Sequence, residues 1–158
     1  MTYQIADQPH DSSLRDYTVA PSSPLLAHML CGTWLAWPWF AFNAFAMGSP
    51  TRRRELAVCA AGFVGTAVLG AILIALFDRG LLPEGAPLRL AVLAVVAYKM
   101  AVSYYLQQLQ STTFEIYRYY GGPVRNSRFV IIAGVLLRGT VLGLIDSSLW
   151  IIVVSGLL

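Results

Sequence analysis

Residues Leu56–Phe77 read LAVCAAGFVGTAVLGAILIALF, a stretch with neither charge nor proline. As a helix it is about 33 Å long, enough to cross about 30 Å of hydrocarbon. Arg52, Arg53 and Arg54 stand just before it, and Asp78 and Arg79 just after, so polarity is confined to its ends. Three further apolar runs accompany it: Leu25–Met47, Leu88 to Gln107, and Phe129–Leu158. In lipid the backbone must satisfy its own hydrogen bonds, so runs of this kind are read as helices. They are too uniformly apolar and too long for the alternating strands of a barrel. The expected fold is all-α: an integral membrane four-helix transmembrane bundle, with spans at 25–47, 56–77, 88–107 and 127–158.

Composition agrees. Of the 158 residues, 57% are hydrophobic and 12% charged, against about 45–50% and about 25% in a soluble domain. Half the usual charge cannot coat a small globule, whose surface-to-volume ratio is high. That excludes an ordinary soluble domain, a disordered chain and a nucleic-acid-binding module. The first run is not read as a signal peptide, because it is long, follows a polar 24-residue segment and is followed at once by three arginines. Cys31 and Cys59 both lie in apolar runs, and four crossings would place them near opposite faces, too far apart to bridge.

Arginine placement gives an orientation. Arg52, Arg53, Arg54, Arg118, Arg125 and Arg128 fall in the two segments on one side of four crossings, and Arg15, Arg79 and Arg89 in those on the other. The positive-inside rule puts the first set in the cytoplasm. Both termini are then expected outside the cytoplasm of a bacterial inner membrane, with residues 1–24 a polar periplasmic tail.

After the third span, Gln107 to Tyr120 contains no glycine or proline, and Gly121-Gly122-Pro123 then stops the helix. The spacing predicts one helix from about 88 to 120 that projects into the cytoplasm and forms a hairpin with the fourth. Antiparallel pairing about residue 123 sets Lys99 beside Asp146 and Arg138 among Gln107, Gln108 and Ser111. These three are the charges expected inside the membrane, where an unpaired charge costs several kcal/mol. Lys99 and Asp146 are read first as a pair locking the helices in register and second as a proton or ion relay.

Small residues at four-residue spacing let helices approach closely. One stripe is Gly62, Thr66 and Gly70; another is Gly139, Gly143 and Ser147, and two stripes exceed what four helices easily absorb. Trp34, Trp37, Trp39, Phe40, Phe42 and Phe45 crowd the first run around Pro38. They are read first as bulk packing and lipid contact, second as a surface for a lipid, quinone or pigment. His28 is read as an interfacial polar group, not a ligand. Arg52, Arg53, Arg54, Arg118, Arg125 and Arg128, with the tyrosines of the third helix, suit anionic lipid headgroups, each basic residue contributing about 1 kcal/mol.

The sequence contains no phosphate loop, nucleophile elbow, H-E-x-x-H or C-x-x-C motif. The expected role is therefore a non-catalytic accessory or assembly subunit of a larger, energy-converting inner-membrane complex. No metal or cofactor is expected, and its partners would be other membrane subunits and lipids, not nucleic acid. The alternatives are a small homo-oligomeric transporter or channel using Lys99, Asp146 and Arg138, or a lipid- or pigment-binding module.

Overall fold

A computed structural model describes residues 12–156. Asp7, His10 and Asp11 of the polar tail lie outside the described residues. The described residues form a one-turn 3-10 helix, Arg15–Tyr17, and six α-helices, with no strand: α1 Ser22–Leu30, α2 Thr33–Ala46, α3 Arg52–Asp78, α4 Ala86–Tyr119, α5 Arg128–Leu142 and α6 Ser148–Val154. Two of them, α3 and α4, are long and apolar enough to cross a membrane. Both leave much of their apolar surface exposed. Val64 and Val68 on α3 and Leu90 and Leu93 on α4 are exposed, while Glu55, Thr66, Lys99, Ser103 and Gln110 on the same helices are buried. That inversion suits a chain solvated by lipid, where apolar contact outside costs nothing and polar groups must find partners inside.

The first apolar run is not one helix. It breaks at Cys31–Gly32, where Gly32 has φ +112°, a backbone region that side chains rarely adopt. The chain then doubles back. The Val19 N–H donates to Asn43 Oδ1 at 3.0 Å, and Asn43 Nδ2 donates to the Val19 carbonyl at 3.1 Å. A straight helix would hold these residues about 36 Å apart. So α1 and α2 form an antiparallel hairpin whose tip is Cys31–Gly32. It is too short to be a span: α2, with 14 residues, is about 21 Å long beside the roughly 40 Å of α3.

The last run is also broken. Residues 143–147 are non-helical, and α6 runs back beside α3, with Leu149 and Ile152 against Gly70. Gly134 abuts Cys31 and Leu35, and Gly156 abuts Gly32 and the His28 carbonyl. In a straight helix Gly134 and Gly156 would lie about 33 Å apart. The end of α6 therefore meets the tip of the α1/α2 hairpin.

Two further expectations are corrected. First, the third and fourth runs do not lie side by side. α5 packs on α1 and α6, and α1 touches both α4 and α5, standing between them. The reason is the extended linker after Gly121, which carries the chain away from α4 instead of folding it back. Second, the first run does not lead from one end of the molecule to the other. The Tyr117 hydroxyl donates to the Arg15 carbonyl at 3.0 Å, and the Arg125 N–H to the Thr18 carbonyl at 2.7 Å. Ser23 and Ser127 hydroxyls are 2.8 Å apart. Residues 15–23 thus share one end of the molecule with the 48–55 and 117–128 segments.

Candidate functional site

Three layers occupy the interior where the hairpin meets α3 and α4. The first lies at the hairpin tip. Lys99 on α4 is 1% exposed. Its ammonium donates to the carbonyls of Ile152 (2.9 Å) and Ser155 (2.7 Å) and to the Ser155 hydroxyl (3.3 Å). The Thr33 hydroxyl donates to the Val153 carbonyl at 2.5 Å. The last carbonyls of a helix have no partner inside it. Here an ammonium and a hydroxyl from two other elements supply the donors, clasping the end of α6 to α4 and α2. His28 and Thr66 are buried nearby along α1 and α3; His28 Nδ1 and Thr66 Oγ1 have no hydrogen-bond partner. An apolar cavity of about 140 Å³ adjoins Lys99, walled by Leu73, Val92, Val95 and Ile151.

The second layer is mainly apolar. Ala36, Trp37, Phe40, Cys59 and Leu106 pack together, and Trp37 meets Phe63 edge-on with ring centres 4.6 Å apart. The indole N–H of Trp37 donates to Ser103 Oγ at 2.8 Å, so the largest core side chain leaves no polar atom unpaired.

The third layer lies at the arginine-rich end. Glu55, on the first turns of α3, is fully buried. Its Oε1 accepts from the hydroxyls of Ser49 (2.5 Å) and Thr51 (2.8 Å), and its Oε2 from Gln110 Nε2 (2.7 Å). Gln110 Nε2 also donates to the Phe40 carbonyl at 2.7 Å, and Gln110 Oε1 accepts from Asn43 Nδ2 at 3.0 Å. One side chain of α4 thereby joins the hairpin to α3. A carboxylate near a helix N-terminus also meets the positive end of the helix dipole.

The expected charge cluster is not assembled. Asp146 is exposed in the break between α5 and α6, and Lys99 binds carbonyls instead. Arg138 is half-buried on α5 with its Nε unpartnered, and Ser111 bonds Gln107 on its own helix. The only ion pair among the described residues joins Arg15 and Asp16. The pairing fails because it assumed α5 along α4. The two small-residue stripes part company. Gly62 is filled by Trp37 and Val102 and Gly70 by Leu149 and Ile152, whereas Gly139 faces open space and Gly143 meets only its own helix; Ser147 stands at the N-cap position of α6 without a side-chain capping bond. Of the aromatic run, Trp37, Trp39 and Phe40 are buried, Trp34 donates to the Cys31 carbonyl at 2.9 Å, and Phe42 and Phe45 are exposed. Arg52, Arg53, Arg54, Arg118, Arg125 and Arg128 are all exposed at one end. Cys31 and Cys59 are free thiols; Cys31 lies at the hairpin tip, not near an outer face.

Glu55, Asn43, Ser103 and Gln110 were not among the residues singled out from sequence. A signal existed: Lys99, Ser103, Leu106, Gln110, Thr113 and Tyr117 recur at spacings of three and four and form the buried face of α4. Comparison of the chain with protein-family models, with curated proteins and with solved structures gives no match, so its own geometry is what bears on its role.

Proposed function

We propose that the chain is an integral membrane protein in which α3 and α4 cross the bilayer and the α1/α2 hairpin enters from the arginine-rich end and turns back. Arg15, Arg52, Arg53, Arg54, Arg118, Arg125 and Arg128 lie at that end, and Arg79 and Arg89 follow or begin the far ends of α3 and α4. By the positive-inside rule the first set faces the cytoplasm, as in a bacterial inner membrane. The segment Ser12–Ser23 then lies inside, not in the periplasm. Thiol labelling tests this. Cysteines introduced at Ser13 and Asn126 react from the same side, and one at Glu84 from the other. Four straight crossings would put Ser13 with Glu84.

Its role in this reading is that of a non-catalytic accessory or assembly subunit of a larger membrane complex. One observation carries it. The two long buried ionisable side chains, Lys99 and Glu55, are each held by neutral groups of this chain, and the packed apolar layer of Trp37, Phe40, Cys59 and Leu106 stands between them. Such an interior fixes a shape, and what it offers other molecules is its surface. Purification of the tagged chain in mild detergent tests the proposal: stoichiometric membrane subunits are expected to come with it, and a clean monomer or homo-oligomer would sink it.

A transporter or channel is the second reading. The helix breaks at Gly32 and 143–147, with Lys99 at the carbonyls where α6 ends, favour it, since secondary transporters build midplane sites from discontinuous helices. It predicts flux through vesicles that Lys99→Gln abolishes.

A further inference from the structure

At the arginine-rich end, the turn before α3 and the outer half of α4 leave a cleft of about 360 Å³. Its polar wall is Thr51, Tyr105, Gln108 and Thr112, and its apolar wall includes Pro50 and Leu109. Arg54 is fixed at the rim: its Nη2 donates to the Tyr105 hydroxyl, and its guanidinium lies 5.6 Å from the centre of that ring. Arg52 and Arg53 are exposed beside it. No acidic residue lines the cleft, because the Glu55 carboxylate turns inward to Ser49, Thr51 and Gln110. Below Arg54, at spacings of three and four, Ala57, Ala61, Val64 and Val68 form an exposed apolar track along α3. A fixed cation, a wall of hydroxyls and an amide, and an apolar track beneath them match one kind of molecule.

We propose that this cleft holds the headgroup of one anionic glycerophospholipid, with its phosphodiester on Arg54. The polyol of the headgroup bonds Thr51, Gln108 and Thr112, and an acyl chain follows the α3 track. The inference rests on the membrane reading above but not on the accessory role. It differs from general attraction to a basic surface, because it needs Arg54 and the cleft wall and not Arg118 and Arg128, which are exposed too.

The test is native mass spectrometry of the full chain after reconstitution in vesicles of phosphatidylglycerol and phosphatidylcholine, with the neutral lipid as competitor. One retained phosphatidylglycerol per chain is expected. Arg54→Gln lowers its retention about fivefold or more, the equivalent of about 1 kcal/mol per basic residue. Thr112→Ile, which fills the cleft without changing charge, lowers it as well, and R118Q/R128Q does not. Unfolding temperature in phosphatidylcholine alone checks that each variant is folded. An equal loss in R118Q/R128Q, or no loss in Thr112→Ile, overturns the site in favour of bulk charge. Stabilisation by soluble glycerophosphate to the same degree overturns the lipid as the source of the phosphate. Failure to insert into either vesicle overturns the membrane reading and this proposal together, whereas insertion without a retained anionic lipid overturns this proposal alone.

Discussion

The hairpin tip and the arginine-rich end each bury one charge-bearing side chain, and they do so by opposite means. At the tip, Lys99 is met by backbone: the Ile152 and Ser155 carbonyls exposed where α6 stops. At the other end, Glu55 is met chiefly by side chains, the hydroxyls of Ser49 and Thr51 and the amide of Gln110. Each charge sits at the helix terminus whose unpaired groups suit its sign. The difference lies in what holds the elements together. The tip depends on a backbone geometry that only glycine permits, so it tolerates little substitution. The arginine-rich end depends on replaceable side chains, so its losses are graded.

Substitutions at five positions can break or sharpen that contrast, each read as a change in unfolding free energy of the purified chain in detergent. Gly32→Ala has the largest expected effect. Its Cβ would lie 2.2 Å from the Val154 carbonyl at φ +112°, and overpacking with backbone strain makes the cost about 4 kcal/mol. A cost below about 1 kcal/mol would mean that α6 does not end on the hairpin tip. Lys99→Met comes next, at about 3 kcal/mol, since it strands two part-buried carbonyls. Asp146→Asn is its control: as an exposed substitution it stays within about 0.5 kcal/mol, and an equal loss in both would restore the pair expected from sequence. Glu55→Ala costs about 2 kcal/mol by leaving Gln110 and two hydroxyls short of an acceptor, and Glu55→Gln costs less because it keeps one. The one change expected to stabilise is Gly139→Ala. Open space lies above Gly139, so helix propensity alone favours alanine by up to about 1 kcal/mol. A loss there would mean that another part of the chain covers this face.

The helical class, the extents of α3 and α4 and the stop at Gly121 were legible because each rests on local chemistry: an unbroken apolar run, or a glycine where the helix must end. The interior was legible only in part. Lys99 stood out as a charge in an apolar run, but Glu55 looked like the polar flank of a span, and Gln110 like part of a cytoplasmic extension. Their burial comes from the hairpin covering them, which no local signal announces. Gly32 was likewise one glycine within an apolar run.

By itself the sequence determined how much of the chain is apolar, where two long helices begin and end, and which residues carry charge, since these follow from side-chain chemistry and backbone preference at each position. Tertiary structure alone decided that the first and last runs double back, and that Lys99 is answered by a helix end instead of Asp146. Hydropathy is a property of residues taken one at a time, whereas a reversal at Gly32 and a partner for an ammonium depend on which distant segments share the same space.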